Sequence, residues 1–172
     1  VRVAEFDALG ATDAEPVLLR VCESGGWAAG VVAGRPYGTL TDLLDAADAA
    51  LDALPDSEFD AALAGHPRIG ERTERAQSRL EQAGVDEADT ATLTELAALG
   101  AEYERRHGMV YLVHASGRSG TDLLDLLRGR VDNDTATERR TAREELATIN
   151  RNRLRQMFAP DGRVATHEGD AP

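Results

Sequence analysis

The chain of 172 residues contains no lysine; all 19 of its basic residues are arginine. Without a lysine amine it cannot form a protein Schiff base, anchor pyridoxal phosphate or supply the lysine of a phosphate-binding loop. Cysteine is nearly as scarce: Cys22 stands alone, which excludes an internal disulfide and a cysteine-rich metal centre. Aromatic residues make up 4% of the chain against 42% for hydrophobic residues as a whole, so the core has to be aliphatic, built from Leu, Val and Ala. No apolar run approaches the ~18 residues that a membrane-spanning helix requires. Positive charge is also in deficit, with 31 acidic residues and a formal net charge of −12. That balance disfavours nucleic acid and anionic membrane surfaces, both of which are bound largely through cationic neutralisation. Val1–Glu5 lacks the basic-then-apolar order of a secretory leader, and Gly169-Asp170-Ala171-Pro172 matches no recognised address signal. A reduced, cytoplasmic setting is expected.

What is present reads as helix. The expected fold is all-α: a single-domain bundle of about seven to nine helices over residues 1–159, followed by a loose polar tail at 160–172. Thr12-Asp13-Ala14-Glu15 has the form of a capping box, with Pro16 in the first turn and Val17, Leu18 and Val21 continuing an apolar stripe until Gly25-Gly26 closes it. Gly30 to Gly38 reads as a loop. A second helix is expected from about Thr41 to Leu54, and a third after Pro55-Asp56-Ser57 with Phe59, Ala62 and Leu63 inward. Gly65 suits its C-terminus, and Pro67 pushes His66 out of helical geometry. Arg72 to Ala83 and Thr90 to His107 read as helices, and Met109 to Val113 as the one extended segment. Ser119 caps a further helix that Asn133-Asp134 breaks. Thr135-Ala136-Thr137-Glu138 forms a second capping box, opening a last helix to about Phe158.

Some of these residues have chemical potential. On the last helix Ala142, Leu146, Ile149, Arg153 and Met157 share one narrow stripe, which places a guanidinium on an inward face. Arg153 either faces a pocket and holds an anion or pairs with a structural carboxylate. His66 is either an acid–base group oriented by a carboxylate or the filling of a turn. Ser78, Glu81 and Gln82 lie on one helix face, offering a hydroxyl, a carboxylate and an amide to a polar ligand or simply to solvent. Gly117-Arg118-Ser119-Gly120 is either an anion-binding helix start or an ordinary turn with a serine cap. Cys22 reads as a small core residue and Trp27 as a packing anchor. The histidines have no helical metal-ligand spacing, so no metal site is expected.

Taken in order, four segments resemble a known family: His66-Pro67-Arg68-Ile69-Gly70; Ser78-Arg79-Leu80-Glu81-Gln82; Tyr103 ahead of His107-Gly108-Met109-Val110-Tyr111; and Arg153-Leu154. The family is that of 2-oxo-4-hydroxy-4-carboxy-5-ureidoimidazoline (OHCU) decarboxylase, of the urate-to-allantoin pathway. Cys22-Glu23-Ser24 with Trp27, and Arg35-Pro36, match it as well, so the resemblance spans roughly residues 5 to 158. It implies an all-α fold, a decarboxylation that uses no cofactor, and frequently a homodimer. It also implies that His66 is the catalytic histidine and Glu81 its acidic partner. Ser78, Gln82 and Arg153 would bind substrate, Pro67 would line the pocket, and backbone groups from Val113 to Gly117 would meet the polar edge of the ring. The chain departs from the family at 107–111, where relatives carry aromatic-Gly-aromatic-Pro-aromatic; His107 is therefore assigned no chemistry.

Two other readings stand beside this one. The −12 charge and the acidic run Asp42, Asp45, Asp48 and Asp52 suit a noncatalytic helical domain that binds a basic partner, which predicts a solvent-paired Arg153. The altered 107–111 segment suits the same fold acting on another ureido acid.

Overall fold

In the computed structural model, which describes residues 2–69 and 90–158, the described residues form eight helices and no strand. These are α1 (Val3–Asp7), α2 (Ala11–Leu19), α3 (Gly25–Ala33), α4 (Leu40–Asp52), α5 (Asp56–Ala64), α6 (Thr90–His107), α7 (Gly120–Arg130) and α8 (Thr135–Phe158). The all-α expectation holds. The helix expected at Arg72 to Ala83 and the tail from 160 lie outside the described residues. No described helix is long and apolar enough to cross a membrane.

The N-terminal third departs from the sequence reading in three places. α2 begins a residue before Thr12: the Gly10 carbonyl accepts from Asp13 and Ala14 at 3.1 and 3.0 Å, and no side chain caps it. Thr12-Asp13-Ala14-Glu15 is therefore not a capping box, and Pro16 sits beyond the first turn. The earlier start brings Ala14 and Leu18 to complete burial. Gly25-Gly26 does not close α2; it opens α3, which Ser24 caps by accepting from the Trp27 amide at 3.2 Å. Trp27 is fully buried and donates its indole N–H to the Ala47 carbonyl at 2.9 Å, which ties α3 to α4. The third difference is that α3 runs through Gly30, which had read as loop. A Cβ on Gly30 would come within 3.3 Å of Ala50 Cβ; the glycine serves a close helix crossing there, not a turn.

α4 buries Leu43, Leu44, Ala47 and Leu51, and α5 buries Phe59, Ala62 and Leu63, as their spacing predicts. α8 packs on α4, and α6 on α7. Arg151 of α8 pairs with Asp48 and, at 3.2 Å, with Asp45, so part of the acidic face of α4 is committed within the fold. Arg143 reaches the end of α4, donating to the Leu51 and Leu54 carbonyls at 2.8 and 3.1 Å; Leu51 also accepts from the Leu54 amide at 3.2 Å, and Leu54, past the last turn, takes no backbone donor among the described residues.

Ser119 caps α7 as expected, in a capping box with Asp122. The second expected box, Thr135 to Glu138, is not one. Asp134 caps α8 by accepting from the Thr137 amide at 2.9 Å, and Glu138 turns inward. It is fully buried and accepts from Tyr103 Oη (2.7 Å), Arg130 Nε (2.9 Å) and Asn133 Nδ2 (2.7 Å). Burial pushes its carboxyl up, but these donors outweigh burial and hold it below the usual carboxylate range. A buried charge needs such a full set of partners.

Candidate active site

Met109 to Val113 is irregular chain that takes part in no strand, leading into Ala115, and is buried at Met109, Tyr111, Leu112, Val113 and Ala115. Glycines with positive φ stand at both ends, Gly108 at +71° and Gly117 at +76°, a region that disfavours other residues. The segment passes between the end of α5 and the middle of α8 and forms one wall of a narrow pocket. His66, Pro67, Val113, His114, Ile149 and Arg153 line it.

His66 follows Gly65, the C-cap of α5. Its amide donates to the Leu63 carbonyl at 2.9 Å, and its Nδ1 lies 2.9 Å from the Ala62 carbonyl oxygen. A carbonyl only accepts, so Nδ1 carries the proton; in the neutral ring Nε2 is then the basic nitrogen. Arg153 is 9% exposed and donates Nη1 to the Val21 carbonyl at 2.8 Å. The solvent-paired Arg153 required by a noncatalytic acidic domain is therefore not what the fold contains. Cys22, next to that carbonyl, is 1% exposed, and burial pushes its thiol up to about 11; it is a core residue, not a nucleophile.

The fold thus gathers His66, Pro67, Val113 and Arg153 around one pocket. Ser78, Glu81 and Gln82, the other residues singled out, lie outside the described residues. Sequence reasoning assigned no role to the side chain of His114, whose ring Nε2 lies 2.8 Å from Asn152 Nδ2, or to Glu145, which accepts the His114 amide at 2.7 Å. Glu145 sits one residue before Leu146 of the inward stripe, a flanking position that could have raised it. His107 is buried between the Val131 carbonyl and Thr135 Oγ1, at 3.2 and 3.3 Å, and does not line the pocket. Gly117 to Gly120 is a turn and a serine cap.

A wider groove of about 280 Å³ adjoins the pocket, sharing Ile69 and Tyr111. Its charged groups among the described residues, Arg68 and Glu104, are paired with each other at 2.6 and 2.9 Å, and the remaining lining is apolar apart from Tyr111. The narrow pocket, not the groove, brings His66 and Arg153 together. Among the described residues no group of three His, Cys, Asp or Glu side chains is placed to hold a metal ion.

A helical bundle that sets a histidine and an arginine around an apolar-walled pocket defines a class: a small-molecule enzyme fold suited to an anionic, polar-edged substrate. Comparison with known proteins makes the assignment specific. The family model for OHCU decarboxylase matches residues 7–155, and the chain belongs to that family. An Amia calva protein named 2-oxo-4-hydroxy-4-carboxy-5-ureidoimidazoline decarboxylase is 30% identical over 138 residues, covering 76% of this chain and 79% of the relative. The Mus musculus protein of the same name is 30% identical over 148 residues, covering 82% and 83%. Among solved structures, an OHCU decarboxylase crystallised in the presence of (S)-allantoin superposes with a TM-score of 0.74 at 22% identity, covering 84% of this chain and 98% of that one. That likeness bears on the fold.

Proposed function

We propose that the protein decarboxylates OHCU to (S)-allantoin, with His66 as acid–base group, Glu81 orienting His66 and the substrate, and Arg153 holding an anionic or carbonyl oxygen. Ser78 and Gln82 bind the substrate's polar groups, Pro67 lines the pocket, and the Val113 peptide meets the ring edge. The observation that carries this reading is the meeting of His66 and Arg153 at one pocket, beside a motif order shared with the family.

The chemistry follows from the substrate. The carbon that loses CO2 also bears a hydroxyl and sits next to a ring C=N. When the C–C bond to the carboxylate breaks, its electron pair moves into that C=N, so the substrate is its own electron sink. A chain with no lysine is compatible with this, since no covalent imine is needed. The protein orients the carboxylate out of the ring plane and moves protons. His66 takes the hydroxyl proton on Nε2 as the carbonyl forms. A proton then reaches the ureido-bearing carbon from one face, which yields the (S) product. The planar guanidinium of Arg153 suits two-point binding of an oxygen pair.

OHCU freshly generated from urate, with allantoin followed by circular dichroism, tests the reading. The expected result is (S)-allantoin formed well above the spontaneous rate; a rate equal to the spontaneous one would rule it out. Allantoate and ureidoglycolate, run in parallel, test a changed substrate. The homodimer implied by the resemblance belongs to the same proposal, and light scattering should give the mass of two chains.

A further inference from the structure

The segment that walls the pocket is neither helix nor strand, and peptide groups along it find their partners elsewhere. No neighbouring strand among the described residues takes up its peptide groups, and two charged side chains from helices do so instead. Arg130 of α7 donates Nη1 to the Leu112 carbonyl at 2.9 Å, and Glu145 of α8 accepts the His114 amide on Oε2 at 2.7 Å. Leu112 and His114, on either side of Val113, are thus both held by side chains of α7 and α8.

Val113 is 3% exposed and lines the pocket, yet among the described residues no hydrogen bond reaches its N–H or C=O. A buried backbone donor and acceptor left open are costly unless a ligand completes them. Arg130 is itself fixed. Its Nη2 lies 2.8 Å from Glu138, and its guanidinium carbon lies 4.8 Å from the centre of the Tyr111 ring. The support behind the wall is therefore rigid.

We propose that Glu145 and Arg130 are positioning residues that substitute for a missing neighbouring strand. They hold Leu112 and His114, and so present the Val113 donor and acceptor to a ligand with the complementary pair, the H–N–C=O edge of a cyclic ureide. This rests on the reading that the ring of OHCU binds in the His66–Arg153 pocket.

Glu145→Leu removes one support, while Glu145→Gln keeps an acceptor oxygen. Glu145→Leu should raise the KM for OHCU about tenfold with kcat within about threefold, and Glu145→Gln should stay within about twofold of the wild type on both. A purely structural role would lower the melting temperature and leave KM unmoved. An unchanged KM in folded Glu145→Leu, or an equal loss in Glu145→Gln, overturns the proposal. The wild-type amide spectrum decides the matter without a variant. Titration with (S)-allantoin should shift the Val113 amide and slow its exchange, while the His114 amide is already protected before ligand is added. An unmoved Val113 amide, with the His66 and Arg153 resonances shifting, overturns the strand-substitute role alone. If allantoin moves none of the three, the site reading fails and this inference fails with it.

Discussion

At the scale of single residues, the candidate site sets two side chains against main-chain carbonyls. Ala62 fixes the tautomer of His66, and Val21 holds one arm of Arg153. His66→Ala should lower kcat by about 10²–10⁴-fold, the usual worth of a positioned acid–base group, measured by single-turnover decarboxylation. His66→Ala with full activity would leave the family assignment intact and remove the role given to the ring. Arg153→Lys is not conservative, because an ammonium cannot keep the Val21 carbonyl and still present a planar pair of donors. It should raise KM more than it lowers kcat, which steady-state kinetics will separate.

At the scale of elements, Arg143 and Arg130 show what arginine does in this fold. Arg143 holds the end of α4, donating to two carbonyls and to Asp56, with its guanidinium carbon 4.2 Å from the centre of the Phe59 ring. Arg143→Leu should cost roughly 1–3 kcal/mol in urea melts, chiefly through the Leu54 carbonyl it leaves without a donor. Arg130→Met should cost about 3–5 kcal/mol, because it strands Glu138, and adding Glu138→Leu should recover most of that loss. These roles also mark the limit of what the sequence discloses. Thr90–His107 and Thr135–Phe158 were readable end to end, since their apolar spacing is sustained over several turns. So was the meeting of His66 and Arg153 at one pocket, through motif order. Glu138 was not readable: S/T-x-x-E is the pattern of a cap, and only the approach of Tyr103 and Arg130 from other helices turns the carboxylate inward. Gly30 misled for a similar reason. A glycine reads as a break until the neighbouring helix that needs the space is in view.

At the scale of the whole molecule, the same buried carboxylate sets the response to acid. Glu138 is held below the usual carboxylate range in the folded chain. Its contribution to stability is therefore complete above the unfolded value, near pH ~4.3, and is lost as pH falls through the lower folded value. Thermal melts of the wild type should steepen in their pH dependence below about pH 4.3, and those of Glu138→Gln should be flatter there. Asp56 and Asp122 shift in the same direction through hydrogen bonds from Arg143 and Ser119, but both are solvent-exposed and should add little slope. The solitary buried thiol has a kinetic consequence. Cys22 lies next to the carbonyl that anchors Arg153, so a disulfide reagent reaches its sulfur only when that corner of the chain opens. The rate of modification then equals the opening equilibrium multiplied by the intrinsic thiol rate. Without any engineered label, the chain carries a clock for its own opening, and any compound that occupies the adjoining pocket should slow it in proportion to occupancy.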